Sequence, residues 1–231
     1  VYYLGFYERG TLEVMSACLR PGDTFVDVGA HVGLMSLFAA RCVGNSGRVL
    51  AVEPVSELHG LLQQSVQMNG FTQVRTLHCA LGASHARLPI SLAGSCPSLV
   101  TSAAGGETET VEVLPLDELL TEKDWPVRMV KIDVEGYELE VITGAQKLLQ
   151  RHDAPLLCLE YNESMRGRAS DPLAVFRLIE SLNAYRFFQL EKTKATPSRL
   201  KACRPESFRK EDNVFACTEA MQHQLPQALF A

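Results

Sequence analysis

Short runs of nearly unbroken apolar residues alternate along this chain with longer runs in which apolar positions recur at helical spacing. The short runs read as strands covered on both faces, the longer ones as helices with one buried face. Residues 11–19 predict a leading helix that stops at Arg20-Pro21-Gly22, a breaker signal. Thr24–Val28 predicts a buried strand, 33–42 a helix, and Arg48–Val52 a second strand ended by Glu53-Pro54. Ser56 then serves as N-cap for a helix whose Leu58, Leu61, Leu62, Ser65 and Val66 share a face until Asn69-Gly70 closes it. With 74–80 as a third strand, the β-α-β-α-β order implies parallel strands joined by right-handed crossovers.

The middle of the chain breaks the rhythm. Residues 87–92 and Thr108–Leu114 predict strands around 93–107, a stretch of Gly, Ser, Ala and Thr that reads as a loop or lid. The alternation resumes with a strand at 127–134, a helix at 137–150 with Leu139, Ile142, Ala145, Leu148 and Leu149 on one face, a strand at 155–161 and a helix at 172–182. Tyr185–Leu190 and 213–218 close the chain as strands able to pair as a hairpin. No internal repeat is present. The pattern describes one α/β domain over 1–231, with a leading helix at 11–20, a core at 21–219 and a mobile tail at 220–231.

Composition narrows the function classes. The formal net charge is −5 and no run of Lys and Arg occurs, so the electrostatic footprint of a nucleic-acid binder is missing and a small or neutral substrate fits better. No apolar stretch approaches the ~18–20 residues needed to cross a bilayer. The start, Val1-Tyr2-Tyr3-Leu4-Gly5, lacks the order of a signal peptide, though a chain that does not begin with Met leaves room for removed N-terminal sequence. The seven cysteines contain no C-x-x-C pair and are scattered through apolar runs, which argues against a disulfide framework and a zinc site. A reducing, cytoplasmic setting is the expectation. Nothing indicates the oligomeric state.

Candidate chemistry gathers where strands end and helices begin, the carboxyl edge at which open α/β sheets bind ligands. Lys131-Ile132-Asp133-Val134-Glu135-Gly136-Tyr137-Glu138 puts carboxylates at such a junction. Asp27-Val28-Gly29-Ala30-His31-Val32-Gly33 forms another, with glycines that let backbone approach a ligand. Its spacing is G-x-x-x-G, and His31 stands where a dinucleotide fingerprint needs a glycine. A carboxylate at Asp27 repels a pyrophosphate but attracts an ammonium or sulfonium. S-adenosylmethionine carries both cations and no phosphate. Glu53, ending the second strand, is placed to accept hydrogen bonds from ribose hydroxyls.

These residues resemble the FkbM family of S-adenosylmethionine-dependent methyltransferases, from about Gly5-Phe6-Tyr7-Glu8 to about Ala216. The sharpest likeness lies in 21–33, Val52-Glu53-Pro54, Cys79-Ala80-Leu81-Gly82 and 131–138. The resemblance implies the Rossmann-like class I methyltransferase fold: a seven-stranded, mostly parallel sheet with helices on both faces and an antiparallel last strand. It also implies O-methylation of sugars or small secondary metabolites. Asp27, Gly29 and Gly33, with Ala30 and His31 in the same turn, would surround the methionine part of the cofactor, Glu53 the ribose, and Ala80 and Leu81 the adenine; Asp133, by its own place on the ligand edge, reads as orienting the methyl donor or accepting the substrate proton. His31 departs from the family, in which many members have Asn.

A hydroxyl acceptor also needs a base. Asp133, Glu135, Glu160 and His31 are the candidates in that order, the plainer reading of His31 being a helix cap or loop contact. Glu160 and Asn162 finish the strand beside the one carrying Asp133, and such an oxygen cluster suits Mg²⁺, yet a hydrated polar cleft needs the same residues and no metal is expected. His59, His78, His85, His152 and His223 read as structural or exposed. The rival readings are an NAD-dependent oxidoreductase on a similar sheet and a non-catalytic S-adenosylmethionine-binding protein.

Overall fold

The structure, a computed structural model, describes residues 8–92, 107–161, 171, 173–191, 198–208 and 212–231. The expected lid at 93–107 lies outside these apart from Glu107, as do Asn162 and the start of the chain.

Helix α1 (Arg9–Cys18) precedes β1 (Thr24–Val28), α2 (Leu34–Val43), β2 (Arg48–Val52), α3 (Ser56–Met68) and β3 (Val74–Leu77). After a small excursion that includes the short helix α4 (Leu116–Leu119) come β7 (Val127–Ile132), β8 (Leu156–Tyr161), α7 (Ala174–Leu182), β9 (Tyr185–Leu190), β10 (Leu200–Cys203) and β11 (Asp212–Thr218). The large sheet has the order β10-β9-β11-β8-β7-β1-β2-β3. Strands β3, β2, β1, β7 and β8 run parallel, and β11 inserts antiparallel between β8 and β9. The Rossmann-like sheet with an antiparallel last strand is therefore present.

It has eight strands rather than seven. The extra one, β10, pairs antiparallel with β9 and forms the edge. Only Leu200 of its four residues is buried, so it carries no alternation that a sequence reading detects.

Successive residues of a strand face opposite layers. Phe25, Met129, Cys158, Phe215 and Cys217 pack with α1 and α2. Val26, Val28, Leu50, Val52, Val130, Ile132, Leu157 and Leu159 pack with α7 and with the helical segments α5 (Glu138–Thr143) and α6 (Gln146–Leu149). Covering both faces is why these strands read as continuous apolar runs.

Four further expectations are corrected. The strand predicted at 74–80 ends at Leu77, and Ala80–Leu81 becomes β4 of a separate sheet, β4-β6-β5, with β5 (Ala86–Ser91) and β6 (Thr108–Leu114). Ser56 is the first helical residue rather than the cap; Val55 holds that place, and the Ser56 hydroxyl bonds Glu109 of β6 and His78 instead. The helix predicted at 137–150 breaks at Gly144. A Cβ there would lie 2.0 Å from the Gly82 carbonyl, and the Asp117 carboxylate takes the amides of Lys147 and Leu148. The closing segment, expected as a mobile tail, folds as α8 (Glu219–Gln224) and buries Met221, Leu225 and Leu229. Arg128 ties it down through the side chain and carbonyl of Gln224, and Phe230 meets Phe188 at 5.2 Å.

Among the described residues no helix is long and apolar enough to cross a membrane.

Candidate active site

The chain leaves β1 for β2 on one side and later returns through β7 on the other, so the carboxyl ends of these strands open a switch point. A cavity of about 570 Å³ occupies it. Asp27, Gly29, Ala30, His31, Glu53, Ala80, Leu81, Asp133 and Glu135 all line this cavity. Two of the residues singled out from the sequence do not. Gly33 stands behind the wall, where its φ of +94° and the Leu62 methyl 2.6 Å from a would-be Cβ let α2 start close to α3. Glu160 stands behind Asp133, to which it is hydrogen-bonded.

The β1–α2 turn is built by glycine and by internal hydrogen bonds. Gly29 has φ +82°, and a Cβ would lie 1.9 Å from the Asp133 carbonyl oxygen, so only glycine lets the ends of β1 and β7 meet. The amides of Gly29 and Ala30 both donate to the Val52 carbonyl, that of Gly33 to Ala30, and that of His31 to Glu53 Oε2 at 2.8 Å. His31 is left-handed at φ +51°, a conformation in which Asn is more at ease than most residues, and its side chain is exposed. Glu53 is buried, with Oε1 accepting from the Val55 amide at 3.0 Å. Burial raises its pKa in spite of these two donors.

Asp27 is 1 % exposed. Its Oδ2 accepts from the Ser36 hydroxyl at 2.6 Å, and its Oδ1 has no hydrogen-bond partner among the described residues. Burial drives its pKa up, against the opposing pull of Lys131. Beside it, Ala80, Leu81, Val55, Leu58 and Ile90 make an apolar wall suited to a flat ring.

Asp133, Glu135 and Glu160 bring carboxylate oxygens within 4.8 Å of one another. Burial first, then the charge and hydrogen bond of Asp133 and the charge of Glu135, push Glu160 up to about 8. The Lys131 ammonium, 2.6 Å from Asp133 Oδ2, supplies counter-charge to this group of carboxylates.

Sequence reasoning passed over two members of the run it quoted. Lys131 is 3 % exposed and lines the cavity; the i, i+2 spacing to Asp133 on a strand, which puts both side chains on one face, is the signal that could have found it. Glu138 is 1 % exposed and folds back so that Oε1 accepts from the Gly136 amide at 3.0 Å, bracing a turn in which Glu135 (φ +52°) and Gly136 (φ +96°) are left-handed.

Burial pushes Glu138 up to about 7. The folded state therefore keeps a proton that the unfolded chain has released, and stability falls as pH rises from the ordinary glutamate value toward 7. From 4.5 to about 7 this amounts to about 3 kcal/mol at most. Glu138→Gln is expected to flatten the decline of the thermal midpoint between pH 5 and 8; a slope equal to the parent's would show that Glu138 does not titrate there.

The sequence model of the FkbM methyltransferase domain matches residues 27–187. "Methyltransferase 1" of Beauveria bassiana (strain ARSEF 2860) is 26% identical over 148 residues, which are 54% of this chain and 59% of that protein. Among solved structures, methyltransferase FkbM from Methylobacillus flagellatus KT superposes with a TM-score of 0.57 at 21% identity, covering 85% of this chain and 44% of the other. A SAM-dependent O-methyltransferase from Thermotoga maritima superposes with a TM-score of 0.50 at 15% identity, covering 92% and 66%. The chain thus spans about half the length of the first two relatives, and the likeness to the solved structures is one of fold.

Proposed function

This chain belongs to the FkbM methyltransferase family, and from that premise we propose that it methylates a hydroxyl of a sugar or small metabolite with S-adenosylmethionine as donor. The observation that carries the cofactor reading is Asp27 Oδ1, a buried carboxylate oxygen in the wall of the cavity with no hydrogen-bond partner among the described residues. An unsatisfied buried acceptor is costly, and an ammonium satisfies it best. The turn supports the same choice. Gly29, Ala30, His31 and Gly33 spend their amides on Val52, Glu53 and Ala30, so these donors are not free to cradle the pyrophosphate of NAD.

Bound there, the cofactor would supply an electrophilic methyl group on a sulfonium. Asp27 would hold the ammonium end, Glu53 the ribose hydroxyls through its remaining lone pairs, and Ala80 and Leu81 the adenine face. Asp133, projecting past the end of β7, faces the acceptor, and the Asp133–Glu160 pair takes the hydroxyl proton. Within the pair Asp133 reaches the acceptor and hands the proton on to Glu160, which stands behind it with the raised proton affinity, while Asp133 Oδ2 stays held by Lys131. His31 keeps a backbone role, its amide fixing Glu53. Much of the rate would come from holding acceptor and donor in line.

Calorimetry on the whole chain is the first test. S-adenosylmethionine and S-adenosylhomocysteine are expected to bind and NAD not to; tight NAD binding with no response to either would overturn the reading. Incubation with labelled S-adenosylmethionine and a panel of sugars, phenols and lipids then identifies the acceptor.

A further inference from the structure

We propose that Lys131 is a positioning residue of this site: its buried ammonium clamps Asp133 in the orientation that serves Glu160 and the acceptor. The inference rests on the methyltransferase reading for its purpose, and on geometry for its content.

Lysine is an expensive choice at this position. Its neighbours along the same row of the sheet are Asp27 on β1 and Cys158 on β8, in a layer otherwise filled by Phe25, Met129 and Phe215. An apolar side chain would fill the row without the desolvation of a cation, and a buried ion pair is weak evidence of a stabilising role. What the lysine adds is a fixed charge. Its Nζ lies 2.6 Å from Asp133 Oδ2 and 3.9 Å from Glu8 Oε1. Glu8 is itself tethered through Oε2 to the Asn213 amide at 2.9 Å, so this second carboxylate acts as a stay on the ammonium from the β11 side.

The groups facing Lys131 are Glu8 before α1, Asp27 on β1, Asp133 after β7 and the Cys158 thiol on β8; beyond Asp133 stand Glu160 and Glu135. Burial alone would lower the pKa of the ammonium, but Asp133, Glu8 and Asp27 outweigh it and raise it, so the cation persists across the working range. No other Lys or Arg is among the described residues that line the cavity, against the carboxylates of Glu8, Asp27, Glu53, Asp133 and Glu135. Without Lys131, Asp133 loses the partner that orients it, and the crowded carboxylates answer by binding protons. Glu160, whose proton affinity Lys131 now holds down, then becomes harder to ionise.

The test compares the whole chain with Lys131→Met, Lys131→Gln and Lys131→Arg. Carboxyl-carbon NMR of protein labelled at Asp and Glu, assigned with Glu160→Gln, follows the Glu160 titration without needing any methyl acceptor. Both neutral variants are expected to move that titration up by about one pH unit or more, and Lys131→Arg to restore it. The alkaline rise of methyl transfer, measured with the acceptor found by the panel, is expected to move with it. An unmoved titration in folded Lys131→Met and Lys131→Gln overturns the proposal. If neither neutral variant folds, Lys131 is a structural residue and the proposal falls as well. A shifted titration in a chain that methylates nothing and binds no S-adenosylhomocysteine would instead sink the proposed function while leaving the clamp in place.

Discussion

Glu160→Gln is expected to lower methyl transfer by roughly 10²- to 10⁴-fold, the span that a positioned general base contributes, with affinity for S-adenosylhomocysteine changed by less than about twofold. Glutamine keeps the length and planarity of the side chain and can still hydrogen-bond Asp133, so the pair keeps its geometry and loses its capacity to take a proton. In the parent the base must be ionised before it acts. With Glu160 pushed up to about 8, turnover should rise with pH from neutrality through that value and level off above it. Glu160→Gln should abolish the rise along with the rate. Asp133→Asn is the companion measurement: it removes the partner of both Lys131 and Glu160, so it should slow transfer and also move the pH limb, whereas a replacement of exposed His31 by Asn should do neither. Single-turnover transfer measured beside cofactor binding separates chemistry from affinity. A parent-like rate for Glu160→Gln with a reduced one for Asp133→Asn would make Asp133 the base; parent-like rates for both would remove the pair from the mechanism.

The parts of this site that could be read from the sequence are those whose causes are local. Asp27 and Glu53 announce themselves because Gly29, Gly33 and Pro54 punctuate the chain next to them, and a strand followed at once by glycine and a helix is a carboxyl edge wherever it occurs. The remainder depends on contacts between distant segments. The break at Gly144 is set by the Gly82 carbonyl and by Asp117, neither of which perturbs the helical spacing of Leu139, Ile142, Ala145, Leu148 and Leu149. Strand β10 has too few buried residues to show a period, and the packing of the closing segment hangs on Arg128 and Phe188, both inside other elements. Lys131 lay within the most conspicuous run of the chain and still went unassigned. Its meaning comes from Glu8, Asp27 and Cys158, brought beside it by a register that only the folded sheet defines. The choice of base turned on the same point, since a list of carboxylates does not say which of them already has a cation.

Gly29→Ala is expected to cost on the order of 4 kcal/mol or more of folding stability, the range reserved for substitutions that force buried backbone apart, and to abolish cofactor binding in whatever fraction still folds. Two effects add at this position. The left-handed φ of +82° penalises any Cβ by roughly 1–2 kcal/mol, and the new methyl would lie 1.9 Å from the Asp133 carbonyl oxygen, which is backbone and has no rotamer to yield. Gly70→Ala isolates the first effect, because Gly70 has a φ of +66° with none of the described residues other than its chain neighbours within 4 Å of its would-be Cβ. It should lose only about 1–2 kcal/mol. The difference between the two in urea unfolding therefore measures the contact between the β1 turn and the end of β7. That contact sets the spacing between Asp27, which faces the cofactor, and Asp133, which faces the acceptor. To relieve the clash the strand ends must separate, and Asp133 would move away from Asp27 together with its own carbonyl. A Gly29→Ala protein as stable as Gly70→Ala, with cofactor affinity intact, would mean that the two strand ends do not meet as closely as this geometry requires.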